Sequence, residues 1–211
     1  MKIIVFGASG KTGKLVTEEA LTSGHEVTAY VRAKESITIA HPNLTVVEGQ
    51  LNEKDKLKSV VTGADACIST LGGKSLIKHS SAVMEGIDNI VSIMEEVDVK
   101  RFLYLSSIGA GSSKRYMPQP IRFIITDLLL RVPLADHNAN ETRIMQSQLD
   151  WTIIRPGGLT DDLKTSSHLK HGTEYVKIQG SPSISRAQVA SFLLSQLENS
   201  TYLNQCIWLY E

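Results

Sequence analysis

The glycine-rich segment at residues 7–13 constrains this chain more than any other part of its sequence. It reads GASGKTG, a G-x-x-G-x-x-G pattern, and it directly follows the apolar run Lys2–Phe6, which predicts a buried strand. Residues 12–22 then carry apolar side chains at helical spacing. A strand, a glycine-rich turn and a helix in this order predict the first unit of a sheet with parallel strands.

The glycines of this segment indicate a phosphate-binding turn. In such turns the first glycine permits the tight bend, the second lets the backbone approach a pyrophosphate, and the third lets the helix pack closely on the strand. Amides at the start of the helix then face the phosphates. We therefore predict a dinucleotide site, with a purely structural turn as the alternative. The candidate binding residues of the turn are Gly7, Ser9, Gly10, Lys11, Thr12 and Gly13.

Strand-length apolar runs alternate with helical patterns as far as about residue 156. The further predicted strands of this part are Glu26–Val31, Leu44–Glu48, Ala64–Leu71, Arg101–Ser106 and Trp151–Ile154. The further predicted helices between them are Glu53–Val61 and Ser80–Glu96. This alternation predicts an α/β fold, a Rossmann-like doubly wound parallel sheet with helices on both faces.

The alternation of predicted strands and helices is less regular in two regions. The first has a predicted exposed loop at Gly109–Pro120, an apolar helix at Ile121–Val132 and a polar helix at Ala135–Gln148. The second, after Pro156, has a predicted strand at Glu174–Ile178, a helix at Ser185–Glu198 and a strand at Gln205–Tyr210. Because no repeat or linker interrupts the 211 residues, we predict a single domain over residues 1–211, in which about 157–211 include a small C-terminal substrate lobe.

Composition excludes several classes of partner. The 22 basic residues balance the 22 acidic ones, whereas nucleic-acid and membrane-surface proteins normally need a basic excess. Cys67, Cys206 and the six histidines match no metal-ligand spacing, so we expect no metal. The chain opens on MKIIVFGASG and has no apolar stretch of about 18 residues, which favours a cytoplasmic protein. We expect a small-molecule partner, and either a monomer or a homodimer.

The end of the second strand bears on which dinucleotide is bound. An NAD site has an acidic residue there, which bonds the ribose 2′-hydroxyl. This chain instead has Arg32, nineteen residues after Gly13, in the sequence Tyr-Val-Arg-Ala-Lys. A guanidinium suits a 2′-phosphate, so we predict NADP(H), with Lys11 and the nearby Lys34 adding positive charge. A solvated charge at a strand end is the alternative interpretation of Arg32.

Two further strand ends are predicted to complete the cleft, since ligands of such sheets bind at the carboxyl ends of the strands. Gln50 and Leu51 follow the third strand, where they are placed to meet an adenine. Leu71, Gly72 and Gly73 follow the fourth strand, and small residues there let a cofactor lie against the backbone. A tight turn is the other explanation of the two glycines.

These motifs together resemble a known family. GASGKTG, YVR, VEGQ, ISTLGG, LSSIGAG and DWTIIRPGGL are similar to the atypical short-chain dehydrogenase/reductase group, and more narrowly to the NmrA-like, NAD(P)H-binding proteins that include biliverdin-IX-beta/flavin reductase. The similarity extends over essentially the whole chain. It implies a Rossmann fold that binds NADPH and, in the reductase members, hydride transfer to flavins or linear tetrapyrroles.

The resemblance also implies roles for residues at the ends of the fifth and sixth predicted strands. Ser106 and Ser107 would lie by the nicotinamide ribose and the reacting centre, and Pro156 and Gly157 would flank the nicotinamide. The chain departs from the pattern at Gln50, where relatives usually have aspartate. Gln50 keeps hydrogen-bonding capacity but has no charge.

Candidates for proton transfer are few. Conventional short-chain dehydrogenases use Tyr-x-x-x-Lys, and the one match, Tyr30 to Lys34, falls at the adenosine end of the predicted cleft. Ser107 and His137 are the remaining candidates, with a strand-end cap and a surface histidine at a helix start as their alternatives. Hydride transfer between stacked rings needs orientation and exclusion of water more than a dedicated acid.

The sequence therefore predicts an NADPH-dependent oxidoreductase. Its acceptor would be planar, such as a flavin, a tetrapyrrole or a quinone. A non-catalytic, NmrA-like redox sensor that binds NAD(P) is the alternative function.

Overall fold

The computed structural model describes residues 1–73, 75–116, 119, 122–162, 168–174, 176–177 and 182–211. Its strands are β1 (Lys2–Phe6), β2 (Glu26–Val31), β3 (Leu44–Glu48), β4 (Ala66–Ser69), β5 (Arg101–Leu105), β6 (Asp150–Pro156), β7 (Gly158–Thr160), β8 (Lys170–Gly172), β9 (Ser183–Ser185) and β10 (Gln205–Tyr210). Its α-helices are α1 (Lys11–Thr22), α2 (Lys54–Val61), α3 (Ser81–Glu96), α4 (Arg131–Met145) and α5 (Arg186–Ser195).

Eight strands form the central sheet, in the order β3-β2-β1-β4-β5-β6-β10-β8. All neighbours are parallel except β8, which pairs antiparallel with β10 at the edge. The chain moves outward from β1 to β3 and then crosses back to β4, so the strand order reverses between β1 and β4. Ligands of open parallel sheets bind at the carboxyl ends of the strands where this reversal occurs. The predicted doubly wound Rossmann-like fold is confirmed.

Helices cover both faces of the sheet, as predicted. Alternate residues of β1 serve the two cores, because successive side chains of a strand point to opposite faces. Ile3 and Val5 belong to the core beneath α1 and α5, whereas Ile4 and Phe6 belong to the core beneath α2, α3 and α4. All four side chains are buried, which explains the uninterrupted apolar sequence of this strand.

The chain before β6 differs in detail from the sequence-based expectation. Ile121 and part of the predicted Gly109–Pro120 loop lie outside the described residues; a 3₁₀-helix forms over Gly111–Tyr116. The predicted apolar helix at Ile121–Val132 is a π-helical segment over Phe123–Leu129, and α4 begins at Arg131 rather than at Ala135. Helix α4 therefore starts one turn earlier than its polar pattern indicates.

The strand predicted at Glu174–Ile178 is wrong for the residues of that range that the structure describes, which are not in a strand. The edge strand is β8 instead, where Gly172 pairs with Trp208 of β10. A Cβ at Gly172 would lie 2.9 Å from the Trp208 ring, so the glycine lets the two strands approach. This segment forms a strand because it pairs with β10, since its own residues, Lys-His-Gly, have no strand pattern.

Beyond β6, strands β7 and β9 form a separate two-stranded parallel ladder. It extends from the carboxyl end of the main sheet and brings the start of α5 next to the ends of β5 and β6. Over the described ranges, no helix combines the length and apolar composition needed to cross a membrane.

Candidate functional site

Two adjoining cavities of about 460 Å³ each open along the carboxyl edge of the sheet. One lies at the ends of β1, β2 and β3, and we call it the β2 half. The other lies at the ends of β5 and β6, and we call it the β5 half. Thr70, Leu71 and Gly72 line both, so the two halves form one cleft that meets where β4 ends.

Most predicted site residues line this cleft. The β2 half contains Gly7, Ser9, Gly10, Arg32, Gln50 and Leu51. The β5 half contains Thr12, Ser106, Ser107, His137, Pro156 and Gly157. Leu71 and Gly72 belong to both halves, and the remaining predicted residues, Lys11, Gly13 and Gly73, line neither.

The glycine-rich turn has the geometry that its sequence predicts. Gly7 has φ +85°, and a Cβ there would lie 2.7 Å from the Thr70 hydroxyl oxygen. A Cβ at Gly13 would lie only 2.1 Å from the Gly7 carbonyl oxygen, so the third glycine is required for α1 to approach the turn, as expected. Gly10 lies in the cleft as the N-cap of α1, and its own amide donates to the Gly7 carbonyl oxygen over 2.9 Å. The backbone amides of the first turn of α1, which follow it, are the donors available to an anion.

Gly72 has a different reason for lacking a side chain. A Cβ built there meets no atom of the described residues within 4 Å, its chain neighbours aside, and its φ is not in the left-handed region. Neither packing nor backbone conformation therefore requires glycine at this position. Gly72 keeps the junction of the two halves open, as a ligand that extends through both would need. Gly73 instead lies against Ser80 and close to Asp136, outside the cleft.

Arg32 is exposed at the end of β2 and lines the β2 half. Among the residues that the structure describes, its guanidinium has no hydrogen-bond or ion-pair partner. The adjoining backbone is anchored, since the Lys34 amide donates to the Glu48 carboxylate over 3.1 Å. A positioned guanidinium with free donors is a suitable ligand for a phosphate group.

The structure corrects the sequence-based expectation that Lys11 adds positive charge beside Arg32. Its Nζ pairs with the Asp161 carboxylate at 2.6 Å, and Arg186 pairs with the same carboxylate. Asp161 follows β7, so this charge cluster lies toward the β5 half and holds the start of α1 to the start of α5. The structure does not bring Lys11 together with Arg32, because the side chain is directed to the opposite side of the turn.

The wall of the β2 half depends on Tyr30. Its hydroxyl donates to the Gln50 carbonyl oxygen over 2.9 Å, and a Cβ at Gly49 would lie 2.2 Å from that hydroxyl. Burial, with a smaller contribution from Glu53, raises the pKa of Tyr30 to about 12, so the hydroxyl stays a donor. Leu51 is held by Asn89, whose amide donates to its carbonyl oxygen over 3.0 Å.

A buried ion pair lies beneath the β5 half. Arg155 of β6 donates to both carboxylate oxygens of Glu141 of α4, over 2.9 and 2.7 Å, and both side chains are almost fully buried. The Ser106 hydroxyl donates to the same carboxylate over 2.6 Å. Its hydroxyl is therefore directed to Glu141. Ser107 is half-buried, and its hydroxyl bonds, among the described residues, only the Ile108 carbonyl oxygen, over 3.2 Å. Sequence reasoning missed this pair, although an arginine inside the apolar run of β6 was a signal.

His137 lines the β5 half and is not a surface residue at a helix start. Because α4 begins at Arg131, His137 lies in its second turn, facing the cleft. Its Nδ1 lies 2.8 Å from the hydroxyl oxygen of Tyr104, which also accepts from the Asn140 amide over 3.0 Å. Burial lowers the pKa of His137, against the opposing influence of Glu141 and Asp136. Neither Tyr104 nor Asn140 was predicted from the sequence as a residue of the site.

The cleft thus fits an elongated ligand with charge at one end and a flat ring at the other. A glycine-rich turn at the start of α1 is available for a pyrophosphate, and Arg32 is available for a further phosphate. Apolar residues, among them Ile108, Leu130 and Leu159, line the β5 half together with Ser107 and His137. These residues match the parts of a nicotinamide dinucleotide phosphate.

Comparison with known proteins gives the same result. A model of the NAD(P)H-binding family matches residues 7–200. The uncharacterized chloroplastic protein At2g34460 of Arabidopsis thaliana is 32% identical over 213 residues, which cover 94% of this chain and 74% of that protein.

Solved structures share the fold. A short-chain dehydrogenase/reductase from Veillonella parvula in complex with NADP has a TM-score of 0.82 at 21% identity, covering 100% of this chain and 94% of that one. ChuY, an anaerobilin reductase from Escherichia coli O157:H7, has a TM-score of 0.81 at 22% identity, covering 100% and 97%. On the family match and the Arabidopsis relative, this chain belongs to the NAD(P)H-binding family.

Proposed function

We propose that the protein is an NADPH-dependent reductase whose acceptor is planar, such as a flavin, a tetrapyrrole or a quinone. One observation carries the proposal: a single cleft has at one end an exposed guanidinium with no partner among the described residues, and at the other end a lining rich in apolar residues, with Gly72 leaving the passage open between them. NADPH has the same order of parts, from 2′-phosphate to nicotinamide.

Residues at different positions along the cleft would bind different parts of the cofactor. Backbone amides in the first turn of α1 would bind the pyrophosphate, and Arg32 would bind the 2′-phosphate and discriminate against NADH. The ends of β5 and β6, at Ser107 and Pro156, would orient the nicotinamide. Bound NADPH supplies a hydride, which carries two electrons and one hydrogen to the acceptor and leaves NADP⁺, while one proton from water completes the reduced acceptor.

The lining of the β5 half supports a planar acceptor. Its apolar residues, including Ile108, Leu130 and Pro182, suit the face of an aromatic ring, whereas Ser107 and His137 offer polar atoms that fix its orientation. The tetrapyrrole class gains support from ChuY, which is named an anaerobilin reductase and shares this fold. Orientation and exclusion of water are the contributions that this half would make to hydride transfer.

Oxidation of NADPH tests the proposal. Protein, NADPH and one acceptor at a time (FMN, a linear tetrapyrrole, a quinone) are mixed, and the nicotinamide absorbance is followed against a sample without protein. We expect acceptor-dependent loss of absorbance well above that sample. Tight NADPH binding with no turnover for any of the three would contradict the reductase and would favour the non-catalytic redox sensor.

A further inference from the structure

A chain of hydrogen bonds links the interior of the protein to the wall of the β5 half. Tyr104 of β5 is fully buried, and its ring lies edge-on to His137 at a centroid distance of 5.9 Å. Among the described residues the Tyr104 hydroxyl has two partners, the Asn140 amide nitrogen at 3.0 Å and His137 Nδ1 at 2.8 Å. His137 and Asn140 lie three residues apart on α4, so one face of this helix presents both to β5.

The protons available to this chain of hydrogen bonds determine which group donates in each bond. The Asn140 amide donates to the Tyr104 oxygen, so the single Tyr104 proton must be donated elsewhere. A buried hydroxyl without an acceptor costs about 1–3 kcal/mol. The other partner of this hydroxyl is His137 Nδ1, which accepts the proton if it carries none of its own. A neutral imidazole with a bare Nδ1 has its proton on Nε2.

The second nitrogen of His137 is directed toward the cleft. Nε2 has no hydrogen-bond partner among the described residues. It is also not one of the solvent-inaccessible polar atoms that lack a partner in that part of the chain, so Nε2 is accessible to solvent. The His137 ring lines the β5 half. Nε2–H is therefore a free donor at the position where the ring of an acceptor would lie.

The carboxylates around His137 do not offset the effect of its burial on its pKa. Asp136 and Glu141 of α4 favour the imidazolium, but each carboxylate is already bonded, Asp136 to His79 and the Ser80 amide and Glu141 to Arg155. On the opposite side of the β5 half, Arg186 from α5 adds positive charge and itself pairs with Asp161. Burial is the largest influence on the His137 pKa and lowers it.

We propose that Tyr104 and Asn140 are positioning residues that hold His137 as the Nε2–H tautomer, which donates a hydrogen bond to a carbonyl oxygen or ring nitrogen of the acceptor. The identity of the acceptor rests on the proposed function; the tautomer does not. His137 then stabilises the negative charge that develops on the acceptor as the hydride arrives.

His137 donates a hydrogen bond in this arrangement, and the proton itself comes from water. Transfer of the Nε2 proton to the acceptor would require the Tyr104 proton to move to Nδ1 and would leave a buried phenolate. Burial holds the pKa of Tyr104 well above its ordinary value, so this phenolate is disfavoured. The water-derived proton and the hydride together account for the two hydrogens of the reduced acceptor.

NMR of the histidine ring nitrogens tests the tautomer without cofactor or acceptor. The protein is labelled with ¹⁵N-histidine, and His137 is assigned from the signals that His137→Gln removes. We expect the Nε2–H form at neutral pH. A predominant Nδ1–H form would overturn the proposal, and this measurement needs no variant of Tyr104.

The pKa of His137 in Tyr104→Phe provides a second test, in which the direction of the pKa change decides the outcome. A hydroxyl that donates to Nδ1 stabilises the neutral ring, so its removal should raise the His137 pKa and mix the two tautomers. If Nδ1–H instead donated to Tyr104, removal of the hydroxyl would lower that pKa. A lowered or unchanged pKa overturns the proposal. Tyr30→Phe, which removes the buried hydroxyl of the β2 half, is the matched control and should leave His137 unchanged.

Turnover measurements distinguish a failure of this proposal from a failure of the proposed reductase function. We expect Tyr104→Phe to lower kcat about tenfold with the KM for NADPH unchanged, since one hydrogen bond to the developing charge is weakened. Wild-type kcat in this variant would contradict the positioning role. Absence of turnover in the unmutated protein with an intact Nε2–H tautomer would instead contradict the reductase.

Discussion

At the scale of single residues, glycine serves two distinct purposes in this cleft. Gly13 is required by the protein itself, because a Cβ there would overlap the Gly7 carbonyl oxygen at 2.1 Å. Gly72 has no such requirement in the part of the chain that the structure describes, since a Cβ there meets nothing within 4 Å. Folding therefore explains the first glycine, whereas the proposed cofactor would explain the second.

Gly72→Val tests this distinction. The added side chain stands in open space at the junction of the two halves, so we expect the melting temperature to change by less than about 2 °C. The dissociation constant for NADPH should rise at least about tenfold, because the passage between the halves is blocked. Gly13→Ala is the contrasting variant and should lower the melting temperature. Unchanged NADPH affinity in Gly72→Val would place the cofactor elsewhere.

Arg32→Ala tests the phosphate contact. Charge-assisted hydrogen bonds contribute about 1.5–3 kcal/mol, so the affinity for NADPH should fall roughly 10- to 100-fold, with little change for NADH. Titration calorimetry with both cofactors measures the two effects. Lys11→Ala is the matched control, since Lys11 pairs with Asp161 and should not alter the ratio of the two affinities. An equal loss for NADPH and NADH in Arg32→Ala would refute the assignment.

At the scale of elements, the β5 half is built on the contact between α4 and β6. Burial lowers the pKa of Arg155, the hydrogen bonds and charge of Glu141 raise it, and the net direction is upward. Glu141 also accepts from Ser106 at the end of β5, so one carboxylate joins three elements beneath the reacting centre. Removal of one partner of a buried pair leaves the other charge uncompensated.

Glu141→Gln should therefore lower the free energy of unfolding by about 3 kcal/mol, as measured by urea denaturation. Glu96→Gln is the control: Glu96 pairs with Lys58 at 2.6 Å, but both side chains are about half exposed, so its loss should have little effect. A Glu141→Gln variant no less stable than Glu96→Gln would show that the buried pair contributes little to this fold.

The sequence predicted the elements unequally, for a physical reason. β1, β2, β3 and β10 have the predicted bounds, because each is a run rich in apolar residues between clear turns, including β3 at the edge of the sheet. The edge strand β8 was not predicted, since its pairing with β10 determines it, and over Phe123–Leu129 the sequence predicted a helix but not its π-helical form. The site divides in the same way: the turn and Arg32 belong to local motifs, whereas Tyr104 meets His137 only through packing of α4 on β5.

At the scale of the whole molecule, balanced charge coexists with a local cationic site. The 22 basic and 22 acidic residues cancel, and many of the described charges are paired on the surface or, as with Glu141, inside. Arg32 stands at one end of the cleft without a partner among the described residues. A neutral protein with one unpaired guanidinium in a cleft is suited to a small anion rather than to a polyanion.

The relative affinity of the unmutated protein for NADPH and NADH tests this account most directly. The two cofactors differ only in the 2′-phosphate, and titration calorimetry at low and high salt measures both under identical conditions. We expect NADPH to bind at least about tenfold more tightly at low salt, with the difference shrinking as salt screens the exposed Arg32 contact. Equal affinities at low salt, or tighter binding of NADH, would contradict the account.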